Sequence, residues 1–175
     1  ITLSAPAVAG TNTITLPANT GTVITTASSA VVTQAMLASN VVGNGPAFSA
    51  YQSSSQTLSV AVLTKIALQT EEFDTANCFD STTNYRFTPN VAGYYQVTAS
   101  IRGPGVQIRT FIYKNGSQYK LGTDATTCYN AMAGTLVYCN GSTDYLEFYA
   151  LFVQGGSTSA ASAETWFNGC LVRSA

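Results

Sequence analysis

The chain contains no histidine. That removes the side chain most often used as a general base and as a metal ligand near neutral pH. Charge is scarce as well: 9% of the 175 residues are Asp, Glu, Lys or Arg, and the net charge is −1. A chain of this balance has no electrostatic footprint for nucleic acid. Apolar runs stay short of the roughly 18 residues that a membrane helix needs, so no membrane insertion is expected. Cys78, Cys128, Cys139 and Cys170 include no Cys-x-x-Cys pair, and their spacing fits no zinc signature. Two disulfides remain open to a secreted chain. Buried free thiols are the simpler expectation, because Cys128, Cys139 and Cys170 fall in apparent strands and free Cys packs as a small hydrophobe. There is no Gly-x-Ser-x-Gly elbow and no histidine to activate a serine, so nucleophilic catalysis lacks its parts. A carboxylate-pair glycosidase is the enzymatic alternative that composition leaves open. The chain is expected not to be an enzyme.

What is present is apolar and aromatic. Hydrophobic residues make up 46% of the chain, with 10 Tyr and 8 Phe, which argues for a packed core and against disorder. All fifteen charges lie between Lys65 and Arg173. That shift marks an organisational boundary, and with the Asn40 to Pro46 linker signal the chain is read as a neck over residues 1–44 and a knob over 45–175. The chain begins at Ile1 without a methionine and is read as a fragment or processed product. In the neck, Thr13 to Leu16 and part of Thr22 to Thr26 alternate around a Pro17 to Gly21 turn, giving two short strands. Ser29 to Ser39 reads as a short helix capped by Ser29, and Asn40 to Pro46 as a linker. Two strands alone are marginal in water. Without edge charges they are expected to pair with other copies.

From Ala47 onward the pattern is all-β. Strands are expected at Phe48 to Tyr51, Leu58 to Leu68, Tyr85 to Thr88, Tyr94 to Arg102, Val106 to Lys114 and Gln118 to Leu121. Three more follow at Thr127 to Cys139, Tyr145 to Val153 and Thr165 to Val172. Glu71 to Thr83 and Gly155 to Ser162 read as loops. Asn115-Gly116 is a strong hairpin signal, and Asn140-Gly141 reads as a second one. Short strands at this spacing indicate a sandwich or barrel. Beyond the Gly93 turn, Tyr95, Val97 and Ala99 share one face, taken as the core face.

Some motifs carry a resemblance. Phe87 is followed by five residues and then Gly93, Tyr94 and Tyr95; Asp74 lies five residues before Phe79; Pro46-Ala-Phe-Ser-Ala50 opens the region, and Phe167-x-Gly169-x-Leu171 closes it. Together these resemble the globular head shared by complement C1q and tumour-necrosis-factor-like proteins. The sequence departs at Gln96-Val97, where that family usually continues x-Phe. The gap between Phe79 and Phe87 is also one residue longer than is usual in that family. The resemblance implies a C1q/TNF-like jelly-roll β-sandwich knob on a short β-rich neck, assembled as a homotrimer. It makes Phe48, Phe87, Gly93, Tyr95, Phe148, Phe167 and Gly169 core or trimer residues. Leu146, Tyr149, Ala150 and Phe152 join Phe148 as candidates for a strand feeding both core and interface. Separately, the Thr11 to Val23 strip, Gln34 to Val41 and the Pro46 to Ala50 junction are similar to segments of bacteriophage tail-fibre and collar-type proteins.

Candidate sites follow. Glu71, Glu72, Asp74 and Asp80 pack four carboxylates into ten residues, the donor type that Ca²⁺ takes. A solvated loop is the plainer reading, and no other cofactor is implied. Tyr119, Tyr129 and Trp166 are candidate receptor contacts, with Tyr113 and Tyr138 beside them, because an exposed aromatic offers flat apolar area and a polar tip. Loops at Ala76 to Thr83, Lys120 to Thr126 and Gln154 to Ser162 are candidate contact loops. The expected function is a trimeric fibre or spike tip on a virion, attaching to a host-surface glycan or protein receptor and joined to other fibre or tail proteins. A capsid fibre or decoration protein and a secreted C1q-like lectin are the alternatives.

Overall fold

The computed structural model describes residues 43–175. The expected neck strands and the Ser29 to Ser39 helix fall outside them. Among the described residues every regular element is a strand. They are β1 (Ala47–Tyr51), β2 (Thr57–Leu58), β3 (Thr64–Lys65), β4 (Thr70–Asp74), β5 (Phe79–Asp80) and β6 (Arg86–Phe87), then β7 (Ala92–Lys114), β8 (Ser117–Asn140), β9 (Leu146–Phe152), β10 (Gly156–Ser157) and β11 (Trp166–Ser174).

All pairings are antiparallel, and the two longest strands build both layers. The first half of β7 lies between β11 and the second half of β8, with Val97 opposite both Gly169 and Thr135. Its second half lies between β9 and the first half of β8, with Phe111 opposite both Tyr149 and Leu121. β1 and β4 extend the first layer beyond β11, while β3 and β6 extend the second beyond β9. The result is a nearly closed jelly-roll sandwich.

Alternation locates the core. Tyr95, Val97 and Ala99 of β7 and Leu146, Phe148, Ala150 and Phe152 of β9 are fully buried. Phe48 of β1 stacks on Phe87 at 4.3 Å and on Phe79 at 5.0 Å, and meets Phe167 edge-on at 5.0 Å, so one ring ties the layers together. The Tyr95 hydroxyl donates to the Val91 carbonyl at 2.7 Å, which satisfies the polar end of a buried ring. Gly93 and Gly169 answer to close approach. A Cβ on Gly93 would stand 2.5 Å from the Arg173 carbonyl oxygen, and one on Gly169 2.6 Å from Val97.

Several expectations change. β7 and β8 are each continuous where two strands were expected, because pairing resumes across Gly103-Pro104-Gly105 and its counterpart in β8 with a shift of register. Leu58 to Leu68 is not one strand. Ala61 takes φ +54° and breaks the run, leaving β2 and β3 on either side of an exposed turn. Glu71 to Thr83 contains β4 and β5, polar because β4 pairs along one side only, with β1. At Asn115 and Gly116 φ is +54° and +74°, the twist that a two-residue hairpin requires. Asn140-Gly141 is instead a crossing between layers. β8 and β9 are not paired there, and the Asn140 side-chain oxygen accepts from the backbone N–H groups of Ser142, Thr143 and Asp144.

Candidate binding surfaces

Two ends of the knob are fixed by backbone bonds. At one, the Leu171 N–H donates to the Pro46 carbonyl, Ala175 to Ala92, and Asn115 to Tyr145. The chain therefore enters and leaves the knob at the same end. At the other, Ala61 donates to Phe152, Val153 to Gln107, and Ser159 to Arg102, each at 3.0 Å. This distal end gathers the turn after β2, the β7 and β8 bends, and the loop between β9 and β11. Of the three candidate loops, Gln154 to Ser162 is distal. Ala76 lies with Pro46 and Asn90 around a cavity at the proximal end. Lys120 to Thr126 belongs to β8 itself.

The outward face of the first layer is largely uncharged. Opposite Tyr94 stands Tyr138, ring centroids 5.5 Å apart, and Leu136 is opposite Gln96. Tyr94 is 42% exposed, Leu136 51% and Val172 44%. Tyr94, Leu136 and Val172 line one shallow concavity with Arg173 and the C-terminal residues. Their sequence neighbours Tyr95, Val137 and Leu171 are buried, so strand parity turns these three to solvent. Only parity relative to Tyr95 signalled this face in the sequence, and among its residues only Tyr138 had been singled out there. Phe148, by contrast, lies wholly inside one protomer, and of its strand Tyr149 and Leu151 reach only partial exposure.

The four clustered carboxylates do not converge. Glu72 accepts from the Ser49 hydroxyl at 2.8 Å and Glu71 from Ser81 at 2.6 Å. Asp74 accepts from the Phe79 N–H at 2.6 Å, and Asp80 from the Thr83 N–H and the Asn84 amide. Among the described residues no three acidic or cysteine side chains could share a metal. Each carboxylate closes a local turn or strand contact instead. Removing divalent cations with EDTA is expected to leave the melting midpoint unmoved, as read by differential scanning calorimetry. A drop on chelation would restore a metal to the knob.

These local bonds set the pH response. The Thr83 N–H leads the donors that hold the Asp80 carboxyl well below its ordinary range. Burial opposes ionisation of Asp144, but hydrogen bonds from Asn115 and Lys114 outweigh it and lower its pKa. A depressed carboxylate contributes stability above its unfolded pKa of about 3.9, and that contribution is lost as pH falls through the folded value. Without histidine, no side chain has its ordinary pKa between about pH 5 and 8. The thermal midpoint is therefore expected to stay level from about pH 8 to 5 and to fall below about pH 4.

The remaining candidates separate. Tyr119 and Tyr129 are exposed, whereas Trp166, beside Ser100 and Tyr51 in the register, is only partly so. All four cysteines are free thiols. Cys78 and Cys139 are buried as expected, and burial pushes the Cys139 thiol up to about 11. Cys128 is half-buried and Cys170 exposed, because Cys170 points outward from β11.

No family model matches the chain, and no curated protein matches it in sequence. Solved structures do match in fold. Murine APRIL aligns with a TM-score of 0.58 at 7% identity, over 73% of this chain and 98% of that one. The globular domain of zebrafish complement 1qA aligns at 0.57 and 12% identity, over 74% and 98%. Eiger TNF from S. frugiperda aligns at 0.58 and 8% identity, over 74% and 93%. The likeness establishes a C1q/TNF-like jelly roll.

Proposed function

We propose that this chain forms the trimeric knob of a virion fibre or spike and attaches the particle to a host surface. The observation that carries the reading is the largely apolar outward face built by Tyr94, Leu136, Tyr138 and Val172, with Arg173 at its margin. A contiguous apolar face of this kind marks an association surface. A second exposed apolar set, Tyr119 and Leu121, lies along the β8 edge. Two different patches on one protomer favour a head-to-tail contact that closes into a ring, which is how a threefold assembly is made. The C1q/TNF-like fold supports the same arrangement and a binding rather than catalytic role. A chain that enters and leaves at one end suits a knob whose other end faces outward. The likeness of the N-terminal strip to tail-fibre segments supports the virion placement. Four free thiols favour it over a secreted lectin, where disulfides are the rule.

Gold-labelled antibody against residues 45–175 tests the placement on particles that carry the protein. Label at fibre or tail tips is the expected outcome. Label spread over the capsid would make it a decoration protein, and absence from particles would leave the secreted lectin.

A further inference from the structure

We infer that the distal end of the knob carries a binding platform for an uncharged glycan, centred on Tyr129; this rests on the attachment reading above. The ring of Tyr129 lies directly against Gly105, where φ is +81° and an added Cβ would come within 2.8 Å of Cε1 and Cζ. A glycine is required there by both the backbone and the ring. The side chain is nevertheless 62% exposed. Among the described residues its hydroxyl has no hydrogen-bond partner. An aromatic ring held by backbone on one side and open on the other is a fixed surface for the C–H face of a sugar, with a polar tip to reach a hydroxyl.

The surroundings select the chemistry. Residues 52–63, 103–108, 125–130 and 153–163 contain no charged side chain. The charges at the rim are neutralised in pairs, Arg102 with Glu164 at 3.2 Å and Arg109 with Asp124 at 3.1 Å. An acidic polysaccharide or a phosphate-bearing lipid finds no free cation here. The polar side chains of these uncharged stretches are amides and hydroxyls, among them Gln107 and Gln154, joined by the Gln107 N–H donating to the Gln154 side-chain oxygen at 3.0 Å, and Thr127 and Asn130 on the same strand as Tyr129. The end is also pre-ordered. Buried Gln52 donates to the Ala67 carbonyl and accepts from the Thr158 hydroxyl, while Thr158 accepts from the Gln56 N–H. These bonds tie the loop after β1 to the loop before β11, and an ordered site loses less entropy on binding. The exposed Val60, at 66%, extends the apolar area on the same end.

The test uses the full chain on an array of neutral and acidic oligosaccharides, with Tyr129→Ala and Tyr129→Phe beside it. Light scattering confirms the assembly state of each sample. Retention of at least one neutral oligosaccharide is expected, weakened about tenfold or more by Tyr129→Ala, as for an aromatic hot spot, and within about twofold of wild type in Tyr129→Phe. Binding is expected to be unchanged between about 50 and 500 mM salt. Retention of acidic glycans alone, no neutral glycan retained, or equal binding by Tyr129→Ala would overturn the platform. If the platform fails while labelled particles still carry the knob at their tips, attachment stands and uses another surface.

Discussion

Replacing Leu136 by lysine is expected to turn the proposed trimer into a folded monomer. Leu136 is half exposed in the single protomer, and the residues that flank it on the same face of β8 are Gly134 and Tyr138. Its side chain contributes little to the protomer's own core, since Val137 takes the inward position. Surface substitutions of that kind change folding stability by about 0.5 kcal/mol or less. In the assembly the position is different. A lysine there buries an unpaired charge at each contact, a loss of several kcal/mol per site by the usual cost of desolvating an ion, and Arg173 beside it adds like charge. Light scattering should report one chain per particle, and circular dichroism should report the native β signal. A variant that stays trimeric moves the contact to another face.

Phe48→Ala is expected to have the largest effect on folding. The ring is fully buried and touches Phe79, Phe87 and Phe167 at once. Removing a buried Phe costs about 3–5 kcal/mol, part of it for the cavity left behind. A domain has only about 5–15 kcal/mol in total. The midpoint of urea unfolding should fall steeply while the slope stays constant, the sign of a stability change alone. A shift of under about 1 kcal/mol would mean that the layers are joined elsewhere. Phe148→Asp belongs with this variant. Phe148 sits in the same core, 6.3 Å from Phe167. It should therefore yield unfolded, aggregating protein, and not the soluble monomer that an interface residue would give.

The layered core was legible in the sequence because its signals are local. Alternation around Tyr95, Val97 and Ala99 named the inward face, and Asn115-Gly116 named a hairpin whose φ values agree. The family-like spacing placed Phe48, Phe87 and Phe167 together, and their rings meet. What failed was continuity. Gly103-Pro104-Gly105 carries turn chemistry, yet β7 runs through it because hydrogen bonding resumes on both sides. β4 was hidden because an edge strand of Thr and Glu shows no apolar period. Val60 and Val62 alternate as a strand would, but Ala61 turns the backbone.

The binding surfaces were less legible, for a different reason. Tyr129 was a candidate by type alone. Its setting depends on Gly105, on Gln107 bonded to Gln154, and on Gln52 bonded to Thr158, pairs separated by up to 106 positions. Parity can say that Tyr94 and Leu136 face outward, but only the β7–β8 register places Tyr94 beside Tyr138 on one face. The four carboxylates were close in sequence and still did not meet, because β4 and β5 direct them to separate partners.

Sedimentation equilibrium of the full chain tests the central claim most directly. The account expects a particle of three chains, stable on dilution from about 100 to 1 μM, as a largely apolar interface of standard size allows. A single chain at every concentration would contradict it, and the largely apolar face of Tyr94, Leu136, Tyr138 and Val172 would then need another partner.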